Sequence, residues 1–431
     1  MASSNAAKTA GRWCWRSERN VLKRIGYKWF LLGFLFVTFF LELGSRQLYG
    51  AALPQIKLDF AALGVTDTQL GTVGTVFSAV FGLSLMVSGL AADLFGRKRV
   101  IVLGTLLFSL AILGTGFASG LVGLIVAYGV FNAMGQCCIA PPCYSLISQH
   151  HVETRATAMG IFQCAVYLGV VLGSVFAGIL AEGGTGGWRM AFWIFGAVGI
   201  AWALVMAFAI RETPIAAVDG EKSTVRDAFR ALLKKPTAIL IAVAFGMFTY
   251  ANLGIRLWSA AFMVREFDGV GLARAAFHSV FWINLGSVLG LMLTARLMDR
   301  VGVRRPKIRL EISVIGFLLC VLPVIWVARS AGLVECCAAL GTLGFTVGIY
   351  EAAHYPAMFD CIAPRYRSAA TGMTGAYAFV FGSMGPAVLG WMSEHLSMRV
   401  GILSLSGFFL AGAVVLLPAL FVFFRRDYVG D

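Results

Sequence analysis

Charged side chains lie inside strongly apolar stretches of this chain, and two of them are spaced to act together. Glu42 and Arg46 are four residues apart in the apolar run FLFVTFFLELGSRQLYG, which places them on one face of a helix. A guanidinium can hold a carboxylate or phosphate through two parallel hydrogen bonds. Arg46 is therefore a candidate anion-binding residue. The alternative is that Glu42 and Arg46 only neutralise each other.

The same pair suggests a route for a proton. Burial favours the neutral form of the Glu42 carboxyl group, whereas the neighbouring Arg46 favours its charged form. An anion that draws Arg46 away from Glu42 would favour protonation of Glu42. The spacing therefore predicts Glu42 as a proton carrier whose protonation is linked to anion binding.

Three further ionisable residues lie in later apolar stretches. Glu351 and His354 have the i, i+3 spacing of a shared helix face and can relay a proton, since histidine titrates near neutrality. Alternatively, they form a structural hydrogen-bonded pair in a helix weakened by Pro356. Arg256 can join Arg46 in clamping a substrate with two anionic groups or one dianion, or it can extend toward the nearer surface.

Uncharged polar groups at mid-depth complete the candidate site, and each either lines a cavity or bonds a neighbouring helix. They are Gln136, Gln163, Tyr167, Tyr250, Asn252, Asn284, Tyr350 and Tyr377. The pair Pro141-Pro142 predicts a kink beside Gln136.

Composition explains what must position these groups. Of 431 residues, 59% are hydrophobic and 13% are charged, whereas soluble domains have about 25% charged residues. The mean hydropathy is +0.83, so lipid is the expected solvent. The net charge of +14 resides in short loops, which disfavours nucleic-acid binding. The adjacent pairs Cys137-Cys138 and Cys336-Cys337 are expected to pack as small buried residues.

Twelve apolar runs are long enough to cross a membrane as helices. They lie near 28–52, 71–93, 99–118, 121–147, 155–181, 188–210, 237–263, 275–298, 308–328, 331–360, 366–392 and 399–424. Basic residues concentrate in the even-numbered loops and at both termini. The positive-inside rule therefore predicts that both termini are cytoplasmic. No cleavable signal peptide is expected in residues 1–28.

The chain divides into two similar halves around a polar linker. We expect a cytoplasmic tail at 1–27, a six-helix half at 28–211, a cytoplasmic linker at 212–236, a second six-helix half at 237–424 and a tail at 425–431. Two internal matches support this division. GLAADLFGRK at 89–98 matches ARLMDRVGVRR at 295–305, and RATAMG at 155–160 matches RSAATG at 367–372.

This architecture resembles the major facilitator superfamily. The resemblance implies an all-α membrane protein with two pseudo-symmetric six-helix halves and a substrate site between them near the bilayer midplane. In that family the acid–Gly–basic turns latch the cytoplasmic face. The residues expected to act in gating are Asp93, Gly96, Arg97, Arg155, Asp299, Gly302, Arg304 and Arg367. For Arg155 and Arg367, the alternative is a purely topological role.

Shorter stretches resemble two groups within that superfamily, the anion:cation symporter family and the related spinster-like family. They are the Arg46 neighbourhood, Gly135-Gln136 and 257–262. Both families usually place an Asp before the first-span Arg, where this chain has Ser45, and often a Glu where it has Gln136. Their usual proton carriers are therefore missing here, and Glu42 is the candidate substitute.

The sequence thus predicts a secondary transporter for a small organic anion, such as a sugar acid, carboxylate or organophosphate, coupled to a proton or sodium. The alternatives are a spinster-like carrier of lysolipids or sphingolipids, and a non-transporting sensor on the same fold. No enzyme motif, ATP-binding loop, cofactor or metal site is expected. The resemblance implies a monomer, and short outer loops favour a bacterial inner membrane. Substrate identity and transport direction stay open.

Overall fold

A computed structural model describes residues 3–151, 155–182, 187–210, 229–230, 232–301, 305, 307–363 and 366–429. Within these ranges, the side chains of 3–25, 86, 89–90, 92–94, 148, 155–157, 159–160, 299–301 and 367–369 lie outside the description. The regular structure in the described ranges is helical. The predicted linker at 212–236 falls mostly outside them, so the domain boundaries stay predictions.

The helices follow the twelve predicted spans. Spans 1 to 6 are Ser3–Asp59, Asp67–Phe95, Arg97–Gly116, the interrupted series Leu121–Leu124, Ile125–Asn132, Ala133–Gln136 and Ala140–His150, then Arg155–Glu182 and Gly187–Ala209. Spans 7 to 12 are Pro236–Glu266, Leu272–Val301, Ile308–Arg329, Leu333–Phe359, the pair Arg367–Gly382 and Met384–His395, and the series Met398–Pro418, Ala419–Phe423 and Phe424–Asp427. Within the described residues, eleven of these are long and apolar enough to cross a membrane as single stretches.

Spans 4 and 11 are broken helices, and prolines account for both breaks. In span 4, residues 137–139 form a turn immediately before Pro141 and Pro142, as the proline pair predicts. Proline fits the first turn of a helix, because its missing N–H needs no partner there. In span 11, Pro386 cannot donate a hydrogen bond to Gly382, and the helix is interrupted between them at Ser383. The sequence reading did not predict this second break.

Span 1 is longer than expected at both ends. The prediction began the helix at residue 28 and ended it at 52, whereas the backbone is helical from Ser3 to Asp59. Pro54 lies inside this helix without ending it. We call the end of the bundle where span 1 begins and span 12 ends the terminal face, and the other end the distal face. The charge distribution predicts that the terminal face is cytoplasmic.

The surface between the two faces is apolar. Large hydrophobic side chains along several spans are strongly exposed, such as Phe208 at 89% and Leu322 at 72%. A protein in water would bury such side chains, but lipid tails solvate them at no cost. The chain is therefore an integral membrane protein that crosses the bilayer several times.

The two halves contact each other through a distal seam. We define this seam by Asp67, Thr68, Glu182, Arg265, Ala273 and Glu394. Glu182 accepts a hydrogen bond from the Ala273 amide (2.8 Å) at the start of span 8. Glu394 accepts one from the Thr68 hydroxyl (2.7 Å) at the start of span 2. Among pairs of described residues, the hydrogen bonds between the halves all lie in the distal part of the bundle.

Asp67 holds the centre of this seam. Its carboxylate is 3% exposed and pairs with Lys57 (2.7 Å) from its own half. It also pairs with Arg265 from the other half, at 2.6 and 3.0 Å. One turn further along span 2, its backbone approaches that of span 11 closely, since a Cβ on Gly71 would lie 2.3 Å from the Pro386 carbonyl oxygen. The structure is therefore closed at its distal face.

Candidate functional site

Arg46 of span 1 lies at the centre of a polar cluster inside the N-terminal half. Its Nη2 donates to Glu42 Oε1 (3.1 Å), and its Nε donates to Gln136 Oε1 (2.8 Å). Among the described residues, Nη1 of Arg46 has no hydrogen-bond partner in the protein. The Arg46 side chain is 24% exposed, whereas Glu42 is 2% exposed. A ligand can therefore reach the guanidinium but not the carboxylate behind it.

Gln136 is fixed by the interrupted fourth span. Its Nε2 donates to Asn132 Oδ1 (3.0 Å), one turn earlier, and to Ser45 Oγ (3.2 Å). Both partners are almost completely buried. These bonds orient the Gln136 amide so that its oxygen faces Arg46. Ser45 and Gln136, which replace the acids usual in the related families, are therefore neutral hydrogen-bonding partners here.

The sequence reading missed three residues that shape this cluster. Asn132 precedes Gln136 by one helical turn, a spacing that could have indicated it. Phe81 and Phe77 lie against the Arg46 guanidinium, at 4.5 and 5.5 Å from their ring centroids to Cζ. Aromatic faces attract a cation in this geometry. Nothing in the sequence showed that span 2 would present these two rings to span 1.

Arg256 is held by two of the candidate mid-span polar residues, Asn252 and Asn284. Its Nε donates a short hydrogen bond to Asn252 Oδ1, on the same helix. Its Nη1 donates to Asn284 Oδ1 of span 8 (3.3 Å). Among the described residues, no carboxylate lies within ion-pair distance of Arg256. The alternative expectation, that Arg256 extends to the surface, does not fit this geometry.

Arg46 and Arg256 line one cavity of about 110 Å³ between the two halves. Its polar lining includes Tyr49 and Tyr128, whose rings stack at 4.8 Å, together with Gln47 and Ser78. Leu257 and Pro386 separate it from the distal seam. The two arginines thus bring positive charge from different halves to one cavity.

Glu351 and His354 do not form the hydrogen-bonded pair that was the alternative to a proton relay, and the relay itself stays a prediction. No hydrogen bond joins their side chains, and neither ring nitrogen of His354 has a partner among the described residues. His354 is buried in an aromatic stack with Phe245 (4.5 Å) and Tyr355 (3.9 Å). Glu351 instead lies close enough to Arg256 to interact electrostatically. This outcome favours Glu351 over His354 as a participant at the cavity.

The other predicted mid-span residues lie outside this cavity. Gln163 accepts a hydrogen bond from Tyr144 (3.4 Å) in its own half. Tyr250 stacks on Phe408 at 3.9 Å. The Tyr350 hydroxyl is buried without a partner among the described residues, and Tyr377 is 39% exposed. Their proposed contact with substrate is not supported by this geometry.

The gating residues are only partly described. Gly96 joins spans 2 and 3 with a φ of 90°, a conformation that favours glycine. Arg97, the next residue, is 8% exposed, and its Nε and Nη1 have no partner among the described residues. The side chains or backbones of Asp93, Arg155, Asp299, Gly302, Arg304 and Arg367 lie outside the description. The latch therefore stays a prediction.

Residues 35–386 match the family model described as Major Facilitator Superfamily. The chain belongs to this superfamily. A major facilitator protein is a transporter and not an enzyme, and the twelve helices in two halves agree with this assignment. The resemblance stated from the sequence is confirmed, as is the all-α fold.

Some of the proteins similar to this chain are named as transporters of organic anions. The chain is 27% identical to an efflux pump of Mycolicibacterium smegmatis, over 86% of both chains. It is 26% identical to a probable sulfoacetate transporter of Cupriavidus necator, over 92% of this chain and 94% of that one. It is 24% identical to the cis,cis-muconate transport protein of Acinetobacter baylyi, over 94% and 97%.

A solved structure gives the same fold. It is a bacterial homologue of the human lysosomal transporter Spinster, in an inward-facing and unoccupied conformation. The TM-score is 0.82 at 21% identity, and the match covers 94% of this chain and 99% of that one. At this identity the similarity concerns the fold alone.

Proposed function

We propose that this protein carries a small organic anion by alternating access and binds it at Arg46 in the central cavity. The observation that carries the proposal is the shared cavity, which both Arg46 and Arg256 line. Within ion-pair distance of them, the described residues supply one carboxylate, that of Glu42. Glu351 lies near Arg256 without a direct ion pair among the described residues, so a bound anion would supply the direct counter-charge that Arg256 lacks.

Two guanidiniums that line one cavity favour a compact substrate with two anionic groups. Arg46 belongs to span 1 and Arg256 to span 7, so each can hold one end of the same molecule. Sulfoacetate and cis,cis-muconate, the cargoes in the names of two relatives, each have two acidic groups. We infer that a dicarboxylate or sulfocarboxylate fits this site better than a monovalent anion.

Proton coupling follows from the arrangement around Glu42. An incoming anion competes with Glu42 for the Arg46 guanidinium. Once the Glu42–Arg46 pair is broken, the buried carboxylate has no counter-charge and favours taking up a proton. Its Oε2 has no hydrogen-bond partner among the described residues, which leaves an oxygen available for that proton. Anion and proton would then cross together.

The closed distal seam indicates from which side of the membrane the cavity can be reached in this state. If the terminal face is cytoplasmic, as the charge distribution predicts, the structure corresponds to a state closed toward the outside. Transport then requires the seam to open while the terminal face closes. The predicted latch residues Asp93 and Arg97 lie at the terminal face and would act in that second state.

The spinster-like alternative predicts a larger amphiphilic cavity for a lysolipid. Half of the residues that line the central cavity are polar or charged, namely Arg46, Gln47, Tyr49, Ser78, Tyr128 and Arg256, a lining that suits a small anion better than an acyl chain. The Spinster homologue shares the fold, but that similarity alone does not indicate a lipid substrate. We therefore favour the organic anion.

A thermal-shift experiment on the purified protein tests this choice. A ligand that binds the native state raises the melting temperature. We expect sulfoacetate or muconate to stabilise the wild type, and Arg46→Ala to abolish the shift. Arg329→Ala removes an exposed arginine at the distal face and serves as the matched control. Stabilisation by lysolipids alone, or a shift that persists in Arg46→Ala, would overturn the proposal.

A further inference from the structure

Two adjacent thiols lie together at the break in span 4. The sulfur atoms of Cys137 and Cys138 are 3.8 Å apart, and both lie near the Met134 carbonyl oxygen, at 3.0 and 3.4 Å. We propose that this pair is a binding site for thiophilic trivalent ligands, of which trivalent arsenicals are the class. Such ligands bind two neighbouring sulfurs far more firmly than one, because the second bond closes a ring.

The break in the helix is what brings the sulfurs together. Consecutive side chains of a regular α-helix point about 100° apart, which separates their ends. At Cys138 the amide instead bonds back to the Gly135 carbonyl, three residues earlier (3.2 Å). This tighter turn places the two sulfurs near van der Waals contact. The same turn is fixed by the proline pair that follows it.

The chain contains an internal comparison. Cys336 and Cys337 are also adjacent, but they lie within the unbroken helix of span 10. No sulfur–sulfur contact between them appears among the described residues, and both are buried. The site at 137–138 therefore depends on local backbone geometry and not on adjacency in the sequence alone.

A reagent can reach one thiol and then close on the other. Cys138 is partly exposed, whereas Cys137 is 2% exposed. With phenylarsine oxide, two S–H bonds break and two As–S bonds form, while the oxygen leaves with both protons as water. Arsenic stays trivalent, so the step needs no oxidant or reductant. Cys138 is expected to react first and Cys137 to complete the ring.

We expect a ligand bound to Cys137 and Cys138 to affect the anion site. Gln136 directly precedes the pair and holds Arg46. A ring across Cys137 and Cys138 would fix the turn that positions the Gln136 amide. We expect anion transport to fall when the ring forms. This consequence rests on the proposed function, whereas formation of the ring does not.

Intact mass spectrometry of the full chain after treatment with phenylarsine oxide tests the site directly. We expect one phenylarsenic unit per chain, with the loss of two hydrogens, in the wild type and in Cys336→Ser and Cys337→Ser. We expect none to be retained in Cys137→Ser or Cys138→Ser. Retention in those two variants, or its loss in the variants at 336 or 337, would overturn the proposal.

A second measurement on the wild type is independent of whether any variant folds. A ring held by two sulfurs should be removed by 2,3-dimercaptopropanol and should resist an equal thiol concentration of 2-mercaptoethanol. Removal by both reagents to the same extent would show a single As–S bond and contradict the dithiol site. An adduct that forms as expected on a protein without anion transport would count against the anion proposal alone, whereas an adduct without any fall in transport would contradict only the link from the thiol pair to Gln136.

Discussion

Arg46 has its hydrogen-bonding capacity divided between two tasks. Its Nε and Nη2 are engaged by Gln136 and Glu42, while Nη1 has no protein partner among the described residues. The rings of Phe77 and Phe81 pack against the guanidinium. The two protein contacts orient the guanidinium, and the free edge is available to an anion. This is the arrangement expected of a preorganised binding group.

Gln136→Glu would return the acid that related families often have at this position. A carboxylate there would compete with the substrate, since the Gln136 oxygen is 2.8 Å from Arg46 Nε. Hydrogen bonds to charged groups are worth about 1.5–3 kcal/mol, so we expect anion affinity to fall about tenfold at neutral pH. The fall should be smaller at acidic pH, where the new carboxyl is neutralised.

The measurement is equilibrium binding of the anion at neutral and acidic pH. Gln163→Glu introduces the same charge at another mid-span glutamine, which contacts Tyr144 and not Arg46. This control should have little effect on affinity. Unchanged affinity in Gln136→Glu at neutral pH would show that Arg46 does not contact the anion.

Glu42→Gln should uncouple anion movement from the proton gradient. The amide is close in size to the carboxyl group but cannot take up or release a proton in this pH range. Uptake into proteoliposomes should therefore lose its dependence on external pH and on an imposed proton gradient. A pH profile that matches the wild type would mean that another group carries the proton, and Glu351 near Arg256 would be the next candidate.

Among the helices, the proline break in span 4 could be predicted from the sequence, but the break in span 11 could not. Pro141-Pro142 indicated the interruption of span 4, because two adjacent residues without N–H groups cannot continue a helix. Pro386 interrupts span 11 in the same way, but a single proline inside an apolar run does not distinguish a break from a tolerated bend. Pro54 and Pro356 lie inside helices that continue.

The distal seam contains two similar contacts, one from each half. Glu182 ends span 5 and caps the start of span 8, and Glu394 ends span 11 and caps the start of span 2. A carboxylate at a helix N-terminus is stabilised by the helix dipole and by unpaired amides. Both contacts cross between the halves, so both must break if the distal face opens.

Neutralising both caps should shift the protein toward the state that is open at the distal face. Glu182→Gln with Glu394→Gln removes the negative charge that each helix N-terminus stabilises, so the double variant should raise the ratio of the open state to the closed state. Distances between spin labels on the distal ends of spans 5 and 8 report this ratio. Glu335→Gln is the matched control, because Glu335 accepts from Ala331 and Trp326 within one half. A distance distribution equal to that of the control would contradict the gating role of the seam.

At the scale of the whole molecule, the internal repeat reappears as equivalent contacts. Arg189 opens span 6, pairs with Asp59 and donates to the Ala118 carbonyl. Arg399 opens span 12, pairs with Glu266 and donates to the Ala328 carbonyl. In both halves the last contact joins residues 71 positions apart. These contacts support the division into two halves that was predicted from the cytoplasmic-turn motifs.

The same repeat limits what sequence patterns could establish about the site. Periodicity and charge placed Arg46, Glu42 and Arg256 in spans and indicated their approximate depth. They could not show which faces of spans 1 and 7 meet, because periodicity describes each helix separately and not its neighbours. Phe81 was missed because the pattern of span 2 does not show which of its faces meets span 1, whereas the one-turn spacing from Gln136 could have indicated Asn132. The spacing of Glu351 and His354 could not show that His354 stacks on Phe245 of span 7 as well as on Tyr355 of its own helix, and the proton relay stays a prediction.

In the proposed mechanism, Arg46 and Arg256 hold one anion between the halves. The most direct measurement is isothermal titration of wild type and Arg256→Ala with sulfoacetate, and with acetate as the ligand that lacks the second acidic group. Loss of a charge-assisted contact worth about 1.5–3 kcal/mol should weaken sulfoacetate binding about 10- to 100-fold and leave the weaker binding of acetate nearly unchanged. Equal sulfoacetate affinity in the wild type and Arg256→Ala would contradict a clamp formed by both halves.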